Sequence, residues 1–271
     1  MEKIVTDDFI IKEALRIVEV AEQLGVTMRI MGAAAIAVHS PEFMPLYRKL
    51  NRLGQNGRLF TDIDLMAYSK QRAMVRRLFE KDFGYKVDKY MLLFRGNSRL
   101  LYFNSTGSYQ IDVFFDKLEF SHDIFFGYDP TTGRLQLSFP TIPLADIILE
   151  KTQIHEINEK DVKDLIVLLR AHDIGNKDER EIVNAKYIAK VLADDWGFWY
   201  DVKINLGKVK TFSQKYLESN LLTEEDLTDI IAKIEKINAY IDEEPKTKKW
   251  EKRAKIGIRK CWWRSVEEVS R

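Results

Sequence analysis

The chain has 271 residues, of which 45% are hydrophobic and 31% are charged, so it can form one large folded domain or two of ordinary size. Its 43 Lys and Arg residues against 42 Asp and Glu residues give a formal net charge of +1, which excludes an overall charge signal for nucleic acid or membranes. One cysteine, Cys261, excludes an intramolecular disulfide and a cysteine-rich zinc site. We expect a soluble, cytoplasmic protein without a membrane span, because the longest apolar stretch, 30–38, is too short for one.

The first 140 residues mix helical and strand-like patterns. Apolar residues at helical spacing predict a helix over 8–24, which Gly25 ends. The β-prone run 26–31, the break at Gly32 and the helix-forming run 33–38 predict strand, turn and helix. The remaining predictions in this half are a loop with one helical turn over 40–58, a strand over 62–67, a helix over 70–82, and β-like runs over 85–94, 99–103, 109–115 and 134–139. Short turns between the runs from 85 to 115 indicate antiparallel neighbours.

Beyond Pro143 the pattern contains helices and no convincing strand. The predicted amphipathic helices cover 144–156, 159–171, 180–194, 198–217 and 223–240. We therefore predict an α/β domain over 1–140 and an α-helical domain over 141–271, with a basic tail at its end.

Two aspartates occupy alternate positions in the strand-like run Thr61-Asp62-Ile63-Asp64-Leu65. Side chains two positions apart on a strand point to the same face, so Asp62 and Asp64 should lie side by side. Two adjacent like charges are unfavourable unless a cation lies between them, and Mg²⁺ is the natural candidate because it prefers carboxylate oxygens. For an isolated Asp-x-Asp, a solvent-facing or strand-end pair is an equally good interpretation.

Two further residues make a catalytic interpretation stronger. Asp112 lies in a second strand-like run with bulky apolar neighbours, where an unpaired charge is rarely tolerated, and three converging carboxylates predict a two-metal site. Gly32, between a strand and a helix, would let the backbone and the free amide groups of the helix approach a phosphate. Without the following Asp-x-Asp, a tight turn against a neighbouring strand would be the favoured interpretation of Gly32.

This order of strand, glycine turn, helix, Asp-x-Asp strand and later Asp resembles the nucleotidyltransferase superfamily related to DNA polymerase β. The segments 141–151 and 159–169 are similar to those that follow the catalytic domain in AbiEii/AbiGii-type toxin nucleotidyltransferases. The resemblance covers roughly residues 25–172 and implies an α+β fold, with a mixed sheet flanked by helices and then an α-helical domain.

The activity that this resemblance implies is transfer of a nucleoside monophosphate from an NTP to an acceptor hydroxyl on a small molecule, protein or tRNA, with an antitoxin protein as a candidate partner. It further implies two Mg²⁺ ions held by Asp62, Asp64 and Asp112, with Asp112 nearest the nucleophile. Gly32 and Ala33 would approach the nucleotide phosphates. Many members of the superfamily have a hydroxyl side chain after the glycine, which Ala33 lacks.

Two basic residues are candidate phosphate contacts, each with an alternative. Lys151 would contact the triphosphate, or it is an ordinary exposed helix lysine. Arg58 would reach an incoming phosphate, or it is a loop-surface charge. Asp161 and Asp164, three positions apart on a predicted helix, share a face, and we favour structural pairing or capping for them over catalysis.

The tail 246–264 carries nine basic residues and one acidic residue. Trp250, Trp262 and Trp263 interleave with these charges, which suits RNA binding by phosphate contact and base stacking. The favoured alternative is a final helix whose tryptophans pack on the helical domain.

Two rivals to the nucleotidyltransferase hypothesis remain. A glycosyltransferase also uses an Asp-x-Asp with a metal-bound diphosphate, but it needs neither Gly32 nor Asp112. A non-catalytic nucleotide-binding or regulatory module would keep the fold without the reaction, and the missing hydroxyl at Ala33 suits it.

Overall fold

A computed structural model of the chain describes residues 5–54 and 57–266, with mixed α+β architecture. The chain divides into two compact units. Unit 1 consists of Met1–Pro41, Leu53–Leu118 and Phe125–Pro143; unit 2 consists of Glu42–Arg52, Glu119–Ile124 and Leu144–Arg271. Unit 2 therefore contains two short segments from the first half of the chain, whereas the predicted domains were continuous.

The elements follow one another in this order. Up to residue 143 they are α1 Asp7–Gln23, β1 Met28–Met31, α2 Gly32–His39, α3 Met44–Lys49, β2 Asp62–Ala67, α4 Arg72–Arg77, β3 Lys86–Val87, α5 Lys89–Arg95, β4 Arg99–Phe103, β5 Gln110–Phe115, β6 Lys117–Glu119 and β7 Asp123–Phe125. From residue 144 they are α6 Leu144–Thr152, α7 Glu159–Ala171, β8 Asp173–Gly175, β9 Ile182–Asn184, α8 Ala185–Leu192, α9 Trp196–Glu218, α10 Glu224–Glu243 and α11 Lys248–Ala254. None of the helices in the described part of the chain combines the length and apolar character needed to cross a bilayer.

Unit 1 is built on a five-stranded mixed sheet with the strand order β1-β2-β5-β4-β3. Strands β2 and β5 are parallel, and the other neighbouring pairs are antiparallel. On one face, fully buried side chains such as Ile30, Leu65 and Val113 form the core. Helix α1 contributes Ile10, Ala14 and Ile17 to this core, and burial of such apolar side chains stabilises the unit.

Several predicted helices and strands are confirmed, and in the helices the residues at the ends make the expected capping contacts. The side chain of Thr6 accepts a hydrogen bond from the Phe9 amide at the start of α1, and Gly25 follows its end with φ +72°. In unit 2, Thr223 and Asp226 form a reciprocal capping box at the start of α10. Strands β2 and β4 and helix α7 have the predicted bounds.

The prediction of a strand over 85–94 is wrong beyond residue 87. The Asp88 side chain accepts a hydrogen bond from the Met91 amide and thereby caps α5, which begins at Lys89. The prediction of a strand over 134–139 is also wrong: Arg134–Leu137 forms a 3-10 turn, and the Leu135 amide donates to the Tyr68 hydroxyl.

Unit 2 contains a strand pair that the sequence pattern did not predict. Strands β8 and β9 are parallel and have three residues each, too short for a period of two to be recognised. The predicted helix over 180–194 starts only at Ala185, because β9 precedes it and the Asn184 side chain caps α8 by accepting from the Tyr187 amide.

Candidate active site

The three aspartates singled out from the sequence lie on two adjacent strands of unit 1. Asp62 and Asp64 are on β2, and Asp64 is the direct register partner of Asp112 on the parallel strand β5. Neighbouring strands are about 4.8 Å apart, and register partners point to the same face. Asp62 and Asp64 are half-buried, whereas Asp112 is only 2% exposed. The three carboxylates therefore share one face of the sheet.

Gly32 lies directly against this face. It follows Met31, the register partner of Asp64 on the other side of β2, and has φ +68°. A Cβ atom at residue 32 would be 2.9 Å from Asp64 Oδ2, closer than such atoms normally approach. The backbone conformation thus favours glycine, and a larger residue would push the Asp64 carboxylate aside.

Helix α2 begins at this glycine. Its N-cap residue, Met31, makes no side-chain capping bond. Ala33 is the second residue of the helix and is half-buried. Because the first amide groups of a helix have no partner within the helix, the start of α2 directs partial positive charge toward the side of the sheet where Asp64 lies.

Arg99 is the residue of this site that the sequence did not reveal. It begins β4, and its Nε donates a hydrogen bond of 2.7 Å to Asp112 Oδ1. Partial burial lowers the pKa of Arg99, but the bond to Asp112 and the charges of Asp112, Asp64 and Asp62 outweigh burial and raise this pKa. The Arg99 guanidinium thus interacts electrostatically with all three carboxylates. The only signal in the sequence was a cation at the start of the apolar run 99–103.

The chemistry of the donor set fits Mg²⁺, since this ion prefers carboxylate oxygens. The arrangement of the side chains fits less well: within residues 5–54 and 57–266, no group of three or more His, Cys, Asp or Glu side chains is arranged to hold a metal ion. Arg99 occupies Asp112 Oδ1 instead. Gln110, the register partner of Asp62, is 9% exposed, and its Nε2 has no hydrogen-bond partner among the described residues. A buried donor of this kind usually has a partner, so the Gln110 side chain leaves one unused hydrogen-bond donor on this face of the sheet.

Of the two predicted phosphate contacts, Arg58 belongs to unit 1. It is exposed, four positions before Asp62, and its guanidinium donates to the Phe60 carbonyl at 3.4 Å. This bond is long, and its role at a phosphate stays a prediction.

Lys151 belongs to unit 2 and is only 7% exposed, so the alternative of an ordinary exposed lysine is wrong. Its Nζ lies 3.0 Å from Asp161 Oδ1 and 2.9 Å from Asp164 Oδ2. Burial lowers the pKa of Lys151, but the charges of Asp164, Asp161 and Glu150 outweigh burial and raise this pKa. Asp161 and Asp164 thus show the favoured structural pairing, and triphosphate contact by Lys151 stays a prediction.

Asp164 is the centre of that buried group. Its side chain is fully buried, and it accepts hydrogen bonds from Arg52 Nε at 2.6 Å and from the Tyr47 hydroxyl. Burial raises the pKa of Asp164, but Arg52 and Lys151 outweigh it and hold the pKa at about 2. This carboxylate is therefore fully compensated within unit 2.

The tail tryptophans all contact aromatic rings of unit 2. Trp250 packs edge-on against Trp199 at 5.1 Å, Trp263 stacks on His155 at 4.3 Å, and Trp262 donates its indole N–H to Asp201 at 3.0 Å. Asp201 also bonds His122 and His155. These contacts correspond to the packing in the favoured alternative, but the predicted final helix is wrong for Trp262 and Trp263, because α11 ends at Ala254. RNA binding by the tail's exposed lysines stays a prediction.

No protein-family model matches the chain, and no curated protein matches it significantly.

Proposed function

We propose that this chain is a Mg²⁺-dependent nucleotidyltransferase, which transfers a nucleoside monophosphate from an NTP to an acceptor hydroxyl with release of pyrophosphate. The observation that carries the proposal is the direct register of Asp64 with Asp112, with the Gly32 backbone against the Asp64 carboxylate. A glycosyltransferase requires neither contact, so these contacts favour nucleotidyl transfer.

The residues have separate tasks in this proposal. Asp62, Asp64 and Asp112 would hold Mg²⁺, which when bound supplies positive charge for the triphosphate oxygens. The amide groups at the start of α2 would bind phosphate, as helix N-termini do. Asp112, the most buried of the three carboxylates, orients the acceptor hydroxyl and accepts its proton.

Arg99 acts on Asp112 in this scheme. Its hydrogen bond to Asp112 Oδ1 fixes the orientation of that carboxylate. It also keeps a positive charge beside the site when no nucleotide is bound, which reduces repulsion among the carboxylates. Arg99 is a positioning residue, since its observed contact is with Asp112.

The test uses NTPs labelled at the α-phosphate, Mg²⁺, and separate RNA, protein and small-molecule fractions of a cell extract. We expect label to enter one fraction, and Asp64→Asn to reduce transfer at least about a hundredfold, because even residues outside the ligand set change metal affinity or activity 10–100-fold. Asp82→Asn, an exposed aspartate of unit 1, is the matched control and should leave transfer unchanged. Absence of label in every fraction, or equal transfer by Asp64→Asn, would contradict the proposal.

The second candidate is a non-catalytic nucleotide-binding or regulatory module. The Arg99 bond to Asp112 favours it, because a guanidinium already neutralises the carboxylate that would have to accept a proton. In the same experiment, NTP binding by equilibrium dialysis without transfer of label would support this candidate over the enzyme.

A further inference from the structure

Helix α5 in unit 1 presents large apolar side chains to solvent. Tyr90 is 71% exposed, Leu93 77% and Phe94 63%. Their spacing of three and four positions puts them on one helix face, and the rings of Tyr90 and Phe94 lie 4.5 Å apart. Clustered exposed aromatic side chains of this kind are typical of binding sites. The tail tryptophans, by contrast, all contact other aromatic rings.

The surroundings of this face are basic. The segment 70–99 has nine Lys and Arg residues and three Asp and Glu residues, although the whole chain has a net charge of only +1. Lys86, Lys89 and Arg95 flank or belong to α5 and are exposed. Among the residues that the structure describes, these three cations form no ion pair. We name Tyr90, Leu93, Phe94 and these three cations the α5 surface.

We propose that the α5 surface binds single-stranded nucleic acid. The bases of the bound strand stack on Tyr90 and Phe94. The phosphates of the strand contact Lys86, Lys89 and Arg95. Aromatic side chains beside a positive groove or stripe bind single strands without base specificity, because every base has a face that stacks. Salt-dependent phosphate contacts supply the rest of the affinity.

Two other anionic partners suit this surface less well. An acidic peptide offers carboxylates to the cations but no rings to the two aromatic residues. A double helix keeps its bases stacked inside and unavailable to Tyr90 and Phe94.

The α5 surface adjoins the carboxylate site through the backbone of β4. The Asp88 amide, at the start of α5, donates to the Leu101 carbonyl at 2.8 Å, and Leu101 is the register partner of Asp112. Arg95 ends the helix only four positions before Arg99. In an acceptor role, a strand bound at α5 would offer a terminal hydroxyl to the carboxylate site, and this part of the inference rests on the proposed function.

Binding is tested with the full chain and a short fluorescein-labelled oligonucleotide by fluorescence anisotropy, without NTP or Mg²⁺, with separate RNA and DNA arms. We expect Tyr90→Ala and Phe94→Ala each to weaken binding about tenfold, since stacking contributes about 1–3 kcal/mol per base. Tyr90→Phe should retain binding, because its ring still stacks.

The matched control is a second exposed aromatic pair of unit 1. Phe125 and Tyr128 have ring centroids 4.8 Å apart and are 47% and 60% exposed, but lie beside Asp123 and Asp129 in sequence. Phe125→Ala with Tyr128→Ala should leave binding unchanged. Equal losses in both pairs, or no loss in Tyr90→Ala with Phe94→Ala, would overturn the inference.

The cations are tested by the salt dependence of binding. Replacing Lys86, Lys89 and Arg95 together by Gln should reduce the slope of log affinity against log salt by about 2, at about 0.7 per phosphate contact. An unchanged slope would contradict the inference, as would equally strong binding of polyglutamate or of anionic phospholipid vesicles. All variants are first compared with the wild type by circular dichroism and thermal unfolding.

The same measurements separate this inference from the proposed function. Oligonucleotide binding without any transfer of label would contradict the nucleotidyltransferase and leave the α5 surface intact. Transfer to a small molecule, without oligonucleotide binding, would contradict the α5 surface alone.

Discussion

One carboxylate in unit 2 is shared by two cations, whereas in unit 1 three carboxylates act on one guanidinium. Asp164 contacts Arg52 and Lys151 and is fully buried. Arg99 is bonded to Asp112 and also experiences Asp64 and Asp62. Lys151 also contacts Asp161, so the first arrangement is a network of paired charges that is closed to solvent.

The second arrangement lies on a partly exposed face, where Asp62 and Asp64 are half-buried instead of closed to solvent. Exposure to solvent, more than the number of acidic residues, thus separates a structural cluster from a candidate site. The comparison predicts that unit 2 loses stability when its cluster is changed, whereas unit 1 loses ligand binding.

The largest expected effect is that of Asp164→Asn on stability. This change leaves Arg52 without its carboxylate partner and Lys151 with only part of its compensation, which typically costs about 3–5 kcal/mol. Urea unfolding, followed by circular dichroism, measures it. Asp242→Asn removes an exposed partner of Lys203 in the same unit and should change stability by less than about 1 kcal/mol. Equal effects of the two variants would contradict the comparison.

The second effect is a pH dependence of the same carboxylate. The folded pKa of Asp164 is about 2, below the unfolded value of about 3.9, so its contribution is complete above that value and is lost as pH falls toward 2. The stability difference between wild type and Asp164→Asn should therefore narrow by about 2 kcal/mol between about pH 5 and pH 2. Urea unfolding of both proteins across this range measures it; a constant difference would show that Asp164 titrates normally.

The third prediction separates the effect of backbone strain at Gly32 from the contribution of Gly32 to the candidate site. Gly32→Ala places a non-glycine residue at positive φ, at about 1–2 kcal/mol, and pushes a Cβ against Asp64 Oδ2. Gly25→Ala has similar strain at φ +72°, but no atom lies within 4 Å of its Cβ. We expect similar losses of stability in urea and a loss of nucleotide binding or transfer only for Gly32→Ala. Equal binding by both variants would remove Gly32 from the site.

The smallest effect is stabilisation of the wild type by Mg²⁺. At a few times its dissociation constant the ion should stabilise the protein by about 1 kcal/mol, seen as a rise in the thermal midpoint. The rise should be greater in Arg99→Gln, which frees Asp112, and absent in Asp64→Asn. Equal rises in wild type and Asp64→Asn would contradict a metal site here.

The fold was predictable where one segment carries its own signal. Strand β2 and helix α7 have the predicted bounds, because alternation and helical spacing are local properties. Residues 89–95 were misassigned, since a short apolar run suits either structure and the capping bond of Asp88 decided for helix. Strands β8 and β9 form only by pairing with each other, which no local pattern reveals.

For the candidate site, the residues that carry the chemistry could be predicted from the sequence, but the residues that they contact could not. The face shared by Asp62 and Asp64 follows from their spacing on β2. The pairing of Asp64 with Asp112 depends on the register of two strands distant in sequence, and Arg99 enters through β4. Lys151 was predicted to be either a ligand contact or exposed, because burial of a lysine depends on partners that come from other helices.

The parallel pairing of β2 and β5 also has a kinetic consequence. Asp64 and Asp112 are about fifty residues apart in the chain, so their pairing is a non-local event, and such events slow folding. Formation of this pair also brings two negative charges together, and Arg99 on β4 reduces their repulsion. Folding should therefore be slow until β4 joins the pair, and added salt, which screens the repulsion, should accelerate it.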